Sequence, residues 1–597
     1  MKQKTVWLVL SVLIALVMVL VSCQPTTTEE EGTTVTGKVT ETKAITETPP
    51  VYKAEAEKPQ YGGTFIFARE VDILGFDEAF TAHYNLDTLH LTNEELLSHD
   101  WTRGPSGTGE FGYQLGGVNR LDLKMGCLAE TWEIPEKGTI IFHIRHGVRF
   151  QNKPPTNGRE LTAADVVYSL KRVCTEARSY IKLSYPAMVA SVQITATDDT
   201  VKITCTPAEF GNMTSMLPDF ASIIPHEVVE TYGDMRDWKN SCGTGPYMLT
   251  DFVSGGSATL KRNPDYWMKD LCGSGKGNQL PYIETVVHYI IPDAATRYTA
   301  LRTGKADWCG VTWDEAAKMR ETNPEMQWSK FIHDTAYVIA MRTDKADSPF
   351  SKLKVRQALT MGIDYKTLKD VFYGGDAQIM AWPVVPCKEY ANSYIPLEQY
   401  PADVQELFSY NPEKARTLLA EAGYPALKTT VICYNTPTQV DVLSQIQAMW
   451  AKIGVTLTID AKDYAVWTQI ISARNYTDMV YMYTAGIGTA WKMINFNGAS
   501  MFNTSYVNDA TVQEAYTKIQ GYMGIDEKAI DETFRALLPY LLSQCYVIQK
   551  TSPYTYYFWQ PWVKNYYGTG ALGYYDYYSA PRYIWIDSVL KKQMIGK

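Results

Sequence analysis

The stretch from Thr430 to Ile459 constrains the fold most. Thr430 to Tyr434 reads as a short β-branched and aromatic strand. Ile446, Met449, Trp450 and Ile453 then fall on one helical stripe, Gly454 stops the helix, and Val455, Leu457 and Ile459 alternate as a second strand. A strand, a helix and a returning strand of these lengths predict a βαβ unit with parallel pairing, hence an α/β architecture. Just upstream, Asn411 to Pro425 predicts another helix. Asn411 is its N-cap, Pro412 sits at the tolerated first position, Gly423 ends it, and Ala415, Leu418, Leu419 and Ala422 form the buried stripe.

At 597 residues the chain exceeds what one hydrophobic core organises, so two or more lobes are expected. The 56 basic and 65 acidic residues leave a net charge of −9 without a clustered positive run, so nucleic acid is not an expected partner.

The amino terminus predicts export. Lys2 and Lys4 precede an uncharged apolar run from Val6 to Val21, which ends in Leu20-Val21-Ser22-Cys23. This pattern resembles the bacterial lipobox. The resemblance implies a signal peptide over 1–22, a lipid on Cys23 and an extracytoplasmic body anchored to the cell membrane, facing a periplasm or the medium. From Gln24 to Gln60 the composition turns to Thr, Glu, Lys and Pro, too poor in apolar residues to offset ordering entropy, so 23–60 reads as lipidated cysteine and flexible tether. The nine other cysteines are widely spaced with no CxxC, which argues against a zinc site on close pairs, and their odd number leaves at least one unpaired in a monomer, the expected state.

The body opens at Tyr61-Gly62-Gly63-Thr64 with a strand through Ala68. A strand at Thr139 to Ile144 precedes a helix with Thr162 as N-cap, Asp165 in the first turn and an apolar face of Val166, Val167, Leu170 and Val173. In Cys242 to Trp267, Gly243, Gly245 and Pro246 break the chain, two extended runs flank Ser254-Gly255-Gly256-Ser257, and Asn263-Pro264 ends the second. Ile283 to Pro292 reads as a strand and Asp293 to Thr303 as a helix closed by Gly304.

Two of these blocks, LAETWEIPEKGTIIFHIRHGVRFQNKPPTNGRELTAADVVYSLKR and GTGPY followed by a hairpin and RNPDYW, resemble the signature blocks of family 5 of the bacterial extracellular solute-binding proteins, the peptide, nickel and oligosaccharide receptors of ABC importers. The likeness continues through Lys354 to Leu359 and Ile363-Asp364 and covers nearly the whole body.

The resemblance implies a two-lobed α/β fold of the periplasmic-binding-protein type, with a hinge crossed twice. Lobe I is expected over 61–334, with an inserted subdomain at roughly 75–200, lobe II over 335–548 and a return to lobe I over 549–597. The first hinge is expected near 328–336, between a short strand entered through Lys305 to Trp308 and a strand at Tyr337 to Arg342. Tyr546 to Tyr557 and Pro561 to Tyr566 are expected as the return strand and Ile584 to Asp587 as a closing one.

No catalytic constellation is legible. HExxH and GxSxG are absent, the eight histidines lack metal-ligand spacing, and Gly273-Ser274-Gly275-Lys276-Gly277 lacks both the first glycine and the Ser or Thr of a phosphate loop. No enzyme activity, cofactor or metal is therefore expected.

Binding is the stronger case, since 41 Tyr and 15 Trp supply apolar faces with polar tips. Trp132, Trp267 and Trp585 lie in core motifs. Trp382, Tyr481, Tyr483 and Trp491 lie around the segment that, by the resemblance, faces the cleft. Peptide-binding relatives carry a Trp and then an Asp for the peptide's amino terminus after this strand. Here Thr484 and Ile487 stand at those positions. An unpaired buried ammonium costs several kcal/mol, so a free-amine ligand needs another acid, for which the first lobe is a candidate source.

The resemblance thus implies a receptor that traps a small solute, a peptide first and an oligosaccharide second, and passes it to an ABC permease. A hydrolase or adhesin is the reading from another class. Cys23→Ser is expected to move the protein from the membrane to the soluble fraction, as fractionation and metabolic lipid labelling would show; unchanged membrane retention without label would overturn the anchor.

Overall fold

The computed structural model describes residues 57–596 except 118, 334, 485–487, 497, 499 and 501. The signal segment, Cys23, most of the tether and Ile487 lie outside the described residues.

Two sheets carry the architecture. The first has seven strands: β1 (Thr64–Arg69), β6 (Tyr247–Val253), β7 (Ser257–Arg262), β8 (Thr285–Ile290), β9 (Trp308–Val311), β10 (Gln327–Phe331) and β16 (Thr555–Trp559). Their order is β10-β16-β9-β1-β8-β7-β6, with β1 parallel to β8 and β9 and the remaining pairs antiparallel. The second has five: β11 (Tyr337–Met341), β12 (Lys428–Tyr434), β13 (Thr456–Lys462), β14 (Met479–Tyr483) and β15 (Val547–Gln549), in the order β13-β12-β14-β11-β15. A four-stranded antiparallel sheet of β2 (Ala129–Glu136), β3 (Thr139–Ile144), β4 (Gln193–Thr197) and β5 (Thr200–Thr204) forms a subdomain on the first lobe.

The βαβ unit forms as its pattern predicts. β12 and β13 pair in parallel from Lys428↔Thr456 to Tyr434↔Lys462, and the helix between them, Pro437–Ala451, buries Ile446, Met449 and Trp450. Helix Pro412–Glu421 starts where Asn411 Oδ1 accepts from the Lys414 amide at 3.0 Å, and it buries Ala415 and Leu419. Helix Ala163–Thr175 opens with Asp165 accepting from both the amide and the hydroxyl of Thr162, at 2.9 and 2.8 Å. Asp165 also receives a bidentate pair of hydrogen bonds from Arg159, at 2.6 and 2.8 Å, so the capping acid also ties down the loop before the helix.

The hairpin block is tied to the first lobe by one buried acid. Glu94 accepts from Thr244 Oγ1, Tyr266 Oη and Trp267 Nε1 at 2.9, 2.7 and 2.9 Å, and Arg582 lies 3.8 Å away. Gly243 and Gly245 let this loop reach it: a Cβ on either would fall 2.3 Å from the Thr92 carbonyl or 2.6 Å from that of Leu91. Trp585 is fully buried, and Trp132 and Trp267 pack half-buried against the core.

The chain leaves the first sheet after Phe331, enters the second at Tyr337, and returns between Gln549 and Thr555. The stretch expected as one return strand is therefore two, because its halves hydrogen-bond to different lobes: Val547 to Gln549 pairs with β11, and Thr555 to Trp559 pairs with β9 and β10. The closing strand, Trp585–Ile586, pairs with Val563–Lys564 as a separate ribbon.

Glu94→Ala strands the buried Arg582 and three donors, so the substitution is expected to lower stability by about 3–5 kcal/mol, read from urea unfolding. A change below about 1 kcal/mol, typical of an exposed ion pair, would show that Glu94 does not hold the block.

Candidate ligand-binding cleft

Between the two sheets lie two adjoining cavities, both walled in part by tyrosines. The first, about 360 Å³, is lined mainly by the first lobe and begins at the carboxyl end of β1 with Arg69, Glu70 and Asp72. Asp87, Trp308, Tyr557, Tyr566 and Tyr578 complete its charged and aromatic wall. The second, about 350 Å³, takes Tyr180, Tyr185, Tyr574 and Tyr575 from the first-lobe side and Tyr483, Thr484, Trp491 and Phe502 from the second lobe. Tyr84, His333 and Tyr577 line both, so the cavities are compartments of one cleft.

The carboxyl ends of strands supply much of this lining, where side chains clear the covering layers. Tyr483 is the last residue of β14, and Thr484 follows it, its amide and hydroxyl both donating to the Ala336 carbonyl in the first crossing, at 2.9 and 3.2 Å. Trp491 sits on a short helix, Thr489–Lys492, with its ring edge-on to Tyr185 at 5.9 Å, an aromatic contact between the lobes.

The run Tyr574-Tyr575-Asp576-Tyr577-Tyr578 delivers four rings to the cleft by a strained backbone. Tyr575 and Tyr578 hold φ of 68° and 65°, a left-handed conformation that costs a non-glycine residue about 1–3 kcal/mol. Buried groups behind the run offset that cost. Asp576 Oδ1 meets His83 Nε2 at 2.9 Å, the Tyr577 carbonyl meets His90 Nδ1 at 2.9 Å, and the Tyr574 amide donates to Asp219 Oδ2 at 2.9 Å.

Burial opposes protonation of His83, but its hydrogen bond to Asp576 and the Glu78 carboxylate 3.6 Å away outweigh that and hold its pKa well above the usual histidine value. Burial likewise pushes up the hydroxyls of Tyr84, Tyr185, Tyr483 and Tyr574, so the aromatic wall stays uncharged at neutral pH.

Of the residues singled out from sequence, the structure brings Tyr483, Thr484 and Trp491 together in the second compartment. Trp382 and Tyr481 lie elsewhere. Trp382 is 3% exposed, packs edge-on against Phe496 at 5.9 Å and borders a small void with Thr360, Phe408 and Leu541. Tyr481 is buried mid-strand against Tyr337 at 5.3 Å, where the layer over β14 covers it and leaves only the strand's end open. Cys23 lies outside the described residues.

The sequence reading missed the first-lobe half: Arg69, Tyr84, Asp87, Tyr180, Tyr185 and the tyrosine run. The run carries a usable signal, since two adjacent pairs of tyrosines around one Asp fit neither strand nor helix periodicity.

The sequence profile of the bacterial extracellular solute-binding proteins, family 5, middle region, matches residues 125–505, well over half of the chain. The chain belongs to this family. It is 31% identical over 369 residues to "Heme-binding protein A" of Haemophilus influenzae, covering 57% of this chain and 62% of that protein, and 29% identical over 373 residues to "Dipeptide-binding protein" of Escherichia coli, covering 57% and 65%. The chain thus spans less than two thirds of the length of these curated relatives. In fold it is similar to the periplasmic binding protein DppA of Helicobacter pylori in complex with the peptide STSA, at a TM-score of 0.66 and 22% identity over 89% of this chain and 99% of that one. It is likewise similar to AppA of Bacillus subtilis in complex with a nonapeptide, at 0.65 and 18% over 89% and 100%. Both likenesses bear on the fold alone. Among the described residues no helix is long and apolar enough to cross a membrane.

A raised folded-state pKa means that His83 contributes stability in full below its unfolded value, about 6.5, and loses it as pH climbs through the folded value. His83→Asn is therefore expected to destabilise most at low pH, with the gap to wild type narrowing as pH rises. Thermal unfolding of both proteins from about pH 6 to 9 checks this, and a gap independent of pH would show that His83 is not charged in the fold.

Proposed function

We propose that this chain is the extracytoplasmic substrate-binding component of an ABC importer, capturing a peptide between its lobes and handing it to a membrane permease. The observation that carries this reading is the cleft: each lobe contributes uncharged aromatic side chains to one compartment, which is complete only when both are in place. Such walls bind by stacking and hydrogen bonding over a large area, as suits a solute with varied side chains. The dipeptide-binding relative supports peptide over oligosaccharide, and neither the hydrolase nor the adhesin reading gains support from it. In this reading the protein binds without turnover, as a monomer held at the outer face of the cell membrane by a lipid on Cys23, with 24–60 as its tether.

Ligand binds first to one lobe, and closure about the crossings at 332–336 and 550–554 adds contacts from the other. Tyr483, Thr484 and Trp491 are the second-lobe contacts, which make the closed state ligand-dependent.

Mixed tripeptides are expected to raise the Tm of the protein, and neutral oligosaccharides to leave it unchanged; the opposite pattern would overturn the assignment. Tyr483→Ala and Trp491→Ala are each expected to weaken peptide binding about 10–100-fold by calorimetry, and unchanged affinity in both would remove them from the site.

A further inference from the structure

A buried ion pair joins the two lobes outside both compartments of the cleft. Arg120, on the first lobe, is 8% exposed, and Asp531, on the second-lobe helix Glu527–Gln544, is 1% exposed. Arg120 Nη1 donates to Asp531 Oδ2 at 2.8 Å. Nε and Nη2 of the same guanidinium donate to Asp122, each at 3.0 Å. That second pairing lies within the first lobe, so it fixes the plane of the guanidinium and leaves Nη1 aimed at the other lobe.

Asp531 is held as firmly on its own side. Its Oδ1 accepts from Ser393 Oγ at 2.6 Å and from Thr489 Oγ1 at 3.0 Å. Thr489 begins the short helix Thr489–Lys492 that carries Trp491. Trp491 lines two spaces at once: the second compartment of the cleft, and a void of about 20 Å³ beside Asn119, Arg120, Thr489 and Glu527. The indole thus stands between the ion pair and the ligand compartment, and the Asp531 carboxylate links Arg120 to the helix that sets the indole. Opening the lobes separates Arg120 from Asp531 but leaves each its own partners, Asp122 on one side and two hydroxyls on the other. The charge-assisted bond between them is therefore a gain of the closed state, with no bare buried charge left in the open one.

We infer that the Arg120–Asp531 pair is a latch outside the cleft that holds the lobes closed and, through Thr489, positions Trp491 against the bound solute, so that it sets how slowly the solute leaves. Arg120, Asp531 and Thr489 are positioning residues, since none of them lines either compartment. A bond made only after closure acts on departure more than on arrival, because the first encounter takes place on an open lobe. This inference rests on the reading above of a solute captured by closure, and it adds a determinant of affinity that touches no ligand.

The test uses the full chain, with equimolar mixed tripeptides as the probe, small-angle scattering of the ligand-free protein and stopped-flow tryptophan fluorescence. Arg120→Gln and Asp531→Asn are each expected to enlarge the ligand-free radius of gyration and to speed dissociation about 10-fold, with association within about 2-fold of wild type. Thr489→Val keeps the ion pair and cuts its link to Trp491, so it is expected to leave the radius unchanged and speed dissociation, while Thr489→Ser behaves as wild type. Should the charge variants fail to fold, amide exchange of wild type needs no substitution: bound peptide is expected to slow residues 119–122 at least about 5-fold, although they line neither compartment. Dissociation within about 2-fold of wild type in both charge variants, or unchanged exchange at 119–122 with peptide bound, would overturn the latch and leave the peptide reading standing. If wild type binds no tripeptide, the peptide reading falls, and the ligand-free radius decides the latch by itself: equal values in wild type and both charge variants would overturn it.

Discussion

The geometry of this protein depends on two chain segments that cross between its sheets side by side. Phe331 pairs with Thr555 at the edge of the first sheet, and Val338 pairs with Gln549 at the edge of the second. The outgoing and returning crossings are thus antiparallel neighbours fixed by ladder hydrogen bonds at both ends. Two short tethers held this way permit the lobes to rotate about one axis and resist sliding, which keeps opposing walls in register when they meet. Thr484 adds to that register, since both of its donors reach Ala336 in the first crossing.

The cleft is asymmetric in chemistry. Its charged groups and the strained tyrosine run belong to the first lobe, where β1 and a buried array of His83, His90, Asp219 and Asp576 hold them. The second lobe contributes aromatic and hydroxyl side chains. The lobes also meet outside the cleft, where Arg120 Nη1 reaches Asp531 Oδ2 at 2.8 Å while Ser393 and Thr489 donate to Asp531 Oδ1.

Much of the fold was legible because it rests on short-range signals. The βαβ unit, the capped helices at 163 and 412, the hairpin at 247–262 and the glycine stops all follow from periodicity and local hydrogen bonding. The return strand was not: Val547 to Gln549 and Thr555 to Trp559 read as one extended stretch until their partners are known. Tyr481 and Tyr483 show the same limit within one strand. They share a face, yet one is buried mid-strand and the other lies at the open end.

The sequence by itself determined the α/β class and the aromatic character of the binding surface through spacing, local propensity and composition, and the family and the two-lobed plan through its likeness to the family's signature blocks. Only the tertiary structure decided which aromatics face the cleft and which first-lobe acids stand beside them. Asp87 and Tyr483 are almost 400 positions apart, and whether a side chain lines a cavity depends on what packs over it from elsewhere in the chain.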